Sequence, residues 1–287
     1  MKSKLNSLIL LVIAALTFGA LPVSADLWYV DGSASGNGTS WAQAFETIAE
    51  AVAAAADTGD EIWVKAGIYA ISSQIQIDKN VGIYGGFAGN ETERSQRDWV
   101  NNITIIDGQD TTRILKLTDE PIIDGFTLTR GYYEVTEAIG GGGAVYMGGI
   151  GALDKTARIR NCIISDNTAQ ANPIGTEGFK GGGAIYIGTG NPIFTNCLIT
   201  NNSTNAYGGA ANFYGGSPRF NNCTISKNTA LKGGGLYLQG VDTFLNAQFY
   251  NCIVRGNIGT SDANDVEVKA GGDDPVGNNN CSSVAIG

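Results

Sequence analysis

The chain has 287 residues, 41 of them glycine and none histidine, and a formal net charge of −9. The missing histidine excludes Ser-His-Asp and Cys-His catalysis and His-ligated zinc. The acidic balance argues against binding nucleic acid or polyanionic lipid by charge; it suits a soluble exported protein, or one that takes up cations.

The first residues include Lys2 and Lys4, an apolar run over 8–18, and Val23-Ser24-Ala25, the small-residue pattern at which signal peptides are cut. Cleavage after Ala25 is expected, in preference to a buried N-terminal helix. The run is too short to span a bilayer, and nothing later is long and apolar enough to do so. The mature 262 residues carry 16 basic and 27 acidic side chains, or −11. They read as one continuous elongated domain, with a cap and first coils over 26–100 and repeating coils over 101–287.

Residues 27–31 form a first expected strand and 32–39 a loop. Ser40-Trp41-Ala42-Gln43 has the form of a capping box with Ser40 as N-cap, and Trp41, Phe45, Ile48, Val52 and Ala55 keep helical spacing up to Thr58-Gly59. A helix over 41–57 is therefore expected. It is either an ordinary surface helix or a lid over the raw strand edges at the mouth of a solenoid, and the second reading is preferred. Strands follow over 61–69, 74–77 and 81–87, then a charged loop over 89–100, then strands over 102–107, 113–117 and 122–129. Residues 131–140, 148–157 and 169–180 read as insertions, the kind of segment that carries function on a rigid scaffold.

One phrase then keeps returning. NCIISDN starts at 161, NCLITNN at 196, NCTISKN at 222, NCIVRGN at 251 and a degenerate NCSSVAI at 280, so the starts lie 35, 26, 29 and 29 residues apart. A period of about 20 to 50 residues marks a solenoid. GGGAVY at 141–146, GGGAIY at 181–186, YGGAAN at 207–212 and KGGGLY at 232–237 each precede a copy. Two residues before each repeat Asn stands Ile159, Phe194, Phe220 or Phe249; a Cys follows it, and Ile164, Ile199, Ile225 or Val254 lies three residues on. On a flat strand, positions two before and one after would face opposite sides. Burying both requires a bend at Asn161, Asn196, Asn222 and Asn251, and Asn tolerates the left-handed backbone of such a corner. Repeating the bend winds an all-β, right-handed parallel β-helix, with the helix of 41–57 as its N-terminal cap. Past 259 the pattern decays through 265–268 with no evident cap, so that end is either open or covered by another molecule.

The GGA-I/L-Y and F-x-N-C-x-I-x-x-N phrases resemble the repeats of polymorphic outer-membrane proteins, within the right-handed parallel β-helix group that includes pectate lyases. WYVDGSASGNGTSWAQAFETIAEAV over 28–52, with VGIYGGFAGNETERSQRDWV over 81–100, is similar to the N-terminal part of many secreted bacterial β-helix repeat proteins. The resemblance implies the fold and names no activity. No β-barrel translocator follows the repeats, unlike full-length polymorphic outer-membrane proteins, and the absent histidine departs from the polygalacturonase pattern.

Cys162, Cys197, Cys223, Cys252 and Cys281 share one repeat position and are expected to stack inside as small buried hydrophobes with free thiols, since parallel Cβ vectors suit a disulfide poorly. Asn161, Asn196, Asn222 and Asn251, with Asn167, Asn202, Asn228 and Asn257, are expected to form amide ladders along the coil. Five residues after each repeat Asn, Asp166, Asn201 and Lys227 should align with Arg255 adjacent; this is a mixed solvated face, or a ligand face in which Arg or Lys serves as a base. Asp107, Asp110, Asp119, Glu120 and Asp124 are turn residues or a calcium site, calcium being the one cofactor the sequence leaves open. Arg94 and Arg97 either grip a carboxylated sugar or are neutralised by Glu91, Glu93 and Asp98. Tyr146, Tyr186 and Tyr237 are an exposed stripe for stacking on sugar rings, or core spacers. The glycine-rich phrases lack the ending of a phosphate loop.

With no catalytic residue nominated, the expected function is an exported, non-catalytic recognition module. It would sit at the outer cell surface, outside the cell or in the periplasm, with a polysaccharide or a cell-surface protein as partner. The rivals are a calcium-dependent polysaccharide lyase and a piece of a larger adhesin, the latter betrayed by a reading frame that continues past Gly287.

Overall fold

The computed structural model describes residues 25–56, 59–135, 140–148, 152–171, 181–239, 247–261 and 265–268. The expectations for the leader, for Cys281 and for the end of the chain lie outside these residues.

Each coil is built from strands of a few β-branched or aromatic residues, separated by single residues in the left-handed conformation. Asn161, Asn196, Asn222 and Asn251 have φ between 51° and 55°. In the two coils before them the same corner is Gly86 (φ 96°) and Gly125 (φ 84°). A side chain is crowded out there: a Cβ on Gly86 would lie 2.6 Å from Trp99 Cα, and one on Gly125 2.9 Å from Trp99 Cβ. A second corner follows one strand later at Arg130, Asp166, Asn201, Lys227 and Gly256, with φ from 52° to 70°.

These corners turn the chain into a right-handed parallel β-helix. Among the described residues, a first sheet of eight strands runs from Leu27–Val30 to Gln248–Tyr250, and a second of seven from Gly67–Ala70 to Ile253–Val254. A third sheet of seven strands runs from Ile75–Ile77 to Val266–Val268. Pairing among the described strands is parallel, and in register apart from a shift between Trp63 and Lys65 where Glu61–Lys65 meets Gly82–Phe87, as in Ile159↔Phe194↔Phe220↔Phe249. Phe194, Phe220 and Phe249 stack at centroid distances of 4.6 and 5.0 Å in the interior, each stacked pair adding about 0.5–1.5 kcal/mol beyond the area it buries. Ile164, Ile199, Ile225 and Val254 form the adjacent buried column.

The structure corrects four expectations. Residues 41–57 are not one helix: Trp41–Gln43 is a 3-10 turn, the α-helix is Ile48–Ala54, and its N-cap is Thr47, which exchanges bonds with Glu50, while Ser40 makes no side-chain cap. The true capping box is TIAE, seven residues downstream, because Phe45 pairs with Val30 as an isolated bridge and holds the chain extended up to it. The helix buries Ile48, Ala51 and Val52 in the interior of the first coil. Second, the strand expected over 61–69 breaks into Glu61–Lys65 and Gly67–Ala70, which belong to different sheets. Third, Tyr132–Val135 and Thr168–Ala171, read as insertions, begin a fourth sheet of five strands that ends at Ile258–Gly259. Fourth, Val266–Val268 still pairs with Leu236–Leu238, so the coil continues past 259.

Candidate functional site

In the first sheet the columns containing Ile159 and Phe194 face inward, so their neighbours on either side face solvent. One outward row carries Arg158, Ile193, Arg219 and Gln248; the other carries Tyr84, Asp124, Arg160, Thr195, Asn221 and Tyr250. At its N-terminal end this face is roofed. Trp63, Tyr84 and Phe87 form a small second core outside the coil, closed by Leu27, Tyr29, Trp41 and Ile122. Trp63 and Phe87 stack at 4.7 Å, and Trp41 Nε1 donates to Glu91 O at 3.0 Å.

The loop over 89–100 leaves an open recess of about 630 Å³ lined by Leu27, Glu61, Trp63, Arg94, Arg97 and Trp99, among others. Its acids hold the loop itself. Glu91 accepts from the backbone N–H of Ala88, Gly89 and Asn90. Burial pushes its carboxyl up, yet these bonds outweigh burial and hold it below the usual range. Glu93 and Gln96 cap each other, and Asp98 accepts from Asn101 and Val100. The arginines therefore find other partners than the three acids named from the sequence. Arg94 pairs with Glu61 and lies 4.6 Å over the Tyr84 ring. Arg97 pairs with Asp124 at 2.8 Å and lies 4.7 Å from the Trp99 ring.

Asp124 is 4% exposed and joins three partners. It accepts from Arg97, from Arg160 Nη2 at 3.3 Å, and from Asn161 Nδ2 at 2.8 Å. Arg160 Nε is buried without a partner. The pair Arg97–Asp124, at 8% and 6% side-chain exposure, is a buried ion pair; its charges are expensive to separate, and so it fixes the loop to the coil.

The other nominated acids are dispersed. Asp107 and Asp110 both bind Arg130, Asp119 binds Lys155 at 2.7 Å, and Glu120 accepts from the Thr156 N–H. Among the described residues no group of three metal-ligating acids or cysteines forms. Asp166, Asn201 and Lys227 do come together, as exposed corner residues in register, but the column continues into Gly256, and Arg255 occupies the row before it. Left-handed backbone is what these positions share. Tyr186 and Tyr237 are 3% and 4% exposed, and Tyr146 is half-buried. Tyr146 stacks on Tyr186 at 5.8 Å and Tyr237 on Tyr207 at 4.6 Å, and Asn212 interrupts the row. Tyr186 and Tyr237 are thus covered, while Tyr146 keeps part of its ring exposed.

The asparagines divide into two sets. Asn161, Asn196, Asn222 and Asn251 occupy the first corner at the surface, where Asn196 Nδ2 donates to Asn161 Oδ1 at 3.2 Å. Asn167, Asn202, Asn228 and Asn257 are buried; Asn167 Oδ1 accepts from the Gly131 N–H, and the Oδ1 of each of the other three accepts from the backbone and side-chain N–H of the previous member. Asp265 ends the series by accepting both bonds from Asn257.

Cys162, Cys197, Cys223 and Cys252 are buried and unbridged. Burial pushes the Cys162 thiol up to about 12; the neighbouring Cys197 sulfur, with burial, does the same for Cys223. The stability the neutral thiols lend is complete below their ordinary value of 9.0 and falls as pH rises toward about 12. In a Cys281→Ser variant at pH 8, a thiol reagent is expected to label none of the four until denaturant is added; rapid labelling of the native protein would contradict their burial.

Arg158, Arg160, Arg219 and Tyr250 escaped the sequence reading. The signal was present: once the residue two before each repeat Asn is inward, the residues flanking it must face out.

Residues 132–281 match the family described as "Right handed beta helix region". No curated protein matches the chain. Among solved structures, the chain is similar to the pectin methylesterase from Aspergillus niger in deglycosylated form, at 14% identity, over 90% of this chain and 86% of that one, with a TM-score of 0.39.

Proposed function

We propose, from the premise that this chain belongs to the right-handed β-helix family, that it is an exported recognition module without catalytic activity, binding a glycan on the outer face of its first sheet. Its place is the outer cell surface or the surrounding medium, in keeping with the likeness of its repeats to those of polymorphic outer-membrane proteins. The observation that carries the reading is the make-up of that face. A recess with Trp63 and Trp99 among its walls opens beside guanidinium groups, while the acids in or beside it are engaged: Glu61 and Asp124 are paired with arginine, and Glu93 accepts from Ser95 Oγ at 3.3 Å. Aromatic rings and arginine forks recognise sugar rings and their substituents, whereas acid–base catalysis requires a group free to exchange protons with the substrate.

The test is to incubate the protein with a panel of acidic and neutral polysaccharides, with and without Ca²⁺, following retention on affinity gels and the absorbance of unsaturated products. Retention without turnover is expected. Calcium-dependent turnover would instead favour a polysaccharide lyase, for which the one suggestive arrangement is Arg160 beside Asp124 with its Nε unpartnered.

A further inference from the structure

Five of the eight arginines, Arg94, Arg97, Arg158, Arg160 and Arg219, lie on or over the outer face of the first sheet in a chain of net charge −9. They are not equivalent. Arg94 is matched by Glu61, and Arg97 and Arg160 share Asp124. Arg158 and Arg219 are exposed and make no ion pair with a described residue. Each is nevertheless steered: Arg158 Nη1 donates to Thr156 O at 3.2 Å, and Arg219 Nε donates to Gln248 Oε1 at 3.1 Å, with its guanidinium 5.9 Å from the Tyr250 ring. A guanidinium has five N–H donors, so each keeps donors for a ligand.

Their register defines the ligand. Arg158 pairs with Ile193 and Ile193 with Arg219, so the two arginines stand in one row, two rungs apart. At about 4.8 Å per rung, that is about 10 Å along the coil axis. Ile193 lies between them, and Thr195, Asn221 and Tyr250 fill the parallel row with a hydroxyl, an amide and a phenol. An extended, linearly linked pyranose chain advances by a length comparable to one rung per sugar and presents alternate sugars to the same side.

We infer that this face binds a linear anionic glycan lying along the coil axis, whose carboxylate or sulfate groups on alternate sugars meet Arg158 and Arg219 while the intervening sugar rests on Ile193 and Thr195. This rests on the glycan-recognition reading above and adds the charge, direction and register of the ligand. Nucleic acid fits the face poorly: its charges come far more densely, and the arginine band is narrow on an acidic protein.

The experiment is calorimetric titration of the full-length protein with alginate, chondroitin sulfate, a neutral dextran and single-stranded DNA, at low and high NaCl. Alginate and chondroitin sulfate separate carboxylate from sulfate recognition. Binding to at least one of them, weakened by salt, is expected. R158Q/R219Q should bind at least tenfold more weakly, since a charge-assisted contact is lost at each site. R158K/R219K, which keeps the charge and loses the fork, should fall between. K116Q, on the third sheet, should bind as the parent does. Thermal melts equal to the parent's show that the variants are folded. Binding of dextran alone overturns the inference and leaves glycan recognition standing; binding of no glycan overturns both. Undiminished anionic-glycan binding by folded R158Q/R219Q, or equal affinity for DNA, overturns the assigned site.

Discussion

Asn202→Leu should destabilise the coil by about 4 kcal/mol. Asn202 Oδ1 accepts from Asn167 N and Nδ2, and its Nδ2 donates to Ile164 O, Thr200 O and Asn228 Oδ1, all at 2.9–3.0 Å. Leucine strips partners from buried groups on three successive coils, at about 1–3 kcal/mol for each group left unpaired. Burial of the leucine side chain returns roughly 2 kcal/mol. Asn196→Gly is the contrast: Asn196 is exposed with φ 55°, which glycine accepts, and a change within about 1 kcal/mol is expected. Because solenoid coils are stabilised chiefly by their neighbours, the loss should be local. Hydrogen exchange of the Leu198–Thr200 and Thr224–Ser226 strands should speed up, while Glu61–Lys65 stays protected. Equal denaturation midpoints for Asn202→Leu and Asn196→Gly would show that the buried ladder is not what holds the second corner.

The second large effect is expected at Asp124. Asp124→Ala removes the partner of a nearly fully buried Arg97, and an uncompensated buried charge costs about 3–5 kcal/mol. Arg97 also donates to Gly85 O and Asp124 O, so its displacement should free the loop over 89–100. Limited proteolysis within that loop and faster exchange at Asp98 and Asn102, whose amides bond to Gly86 O and Asp98 O, are the readouts. Arg97→Met with Asp124→Leu should recover much of the loss, since the buried Arg97 charge is then gone and Arg160, which also loses Asp124, has a side chain 37% exposed to water. If the double variant is as unstable as the single one, the ion pair is not what secures the loop.

Repetition made the coil legible before any coordinates. A copy of one phrase every 26 to 35 residues can bury its apolar positions only by stacking on the next copy, and parity around Asn161, Asn196, Asn222 and Asn251 demands a corner at each. The Phe and Ile columns follow from the same periodicity. The fourth sheet did not, because two-residue strands such as Ser203–Thr204 and Thr229–Ala230 are too short to show alternation. The helix start was misplaced because two capping boxes stood in line, and the pairing of Phe45 with Val30, a long-range contact, chose between them.

At the candidate site the balance is reversed. Local sequence marked Arg94 and Arg97 and surrounded them with acids, yet their partners are Glu61 and Asp124, 33 and 27 residues away in the chain. Similarly, nothing local distinguishes Tyr146, Tyr186 and Tyr237 from a surface stripe; it is residues from other coils that pack on them, Arg113 on Tyr146, Tyr146 on Tyr186 and Tyr207 on Tyr237. The sequence by itself determined the winding of the chain, since period and parity are properties of each strand with its nearest neighbours. Only the tertiary structure decided which charges cancel and which remain exposed on the first sheet, because that depends on side chains brought together across coils, at separations no local pattern encodes.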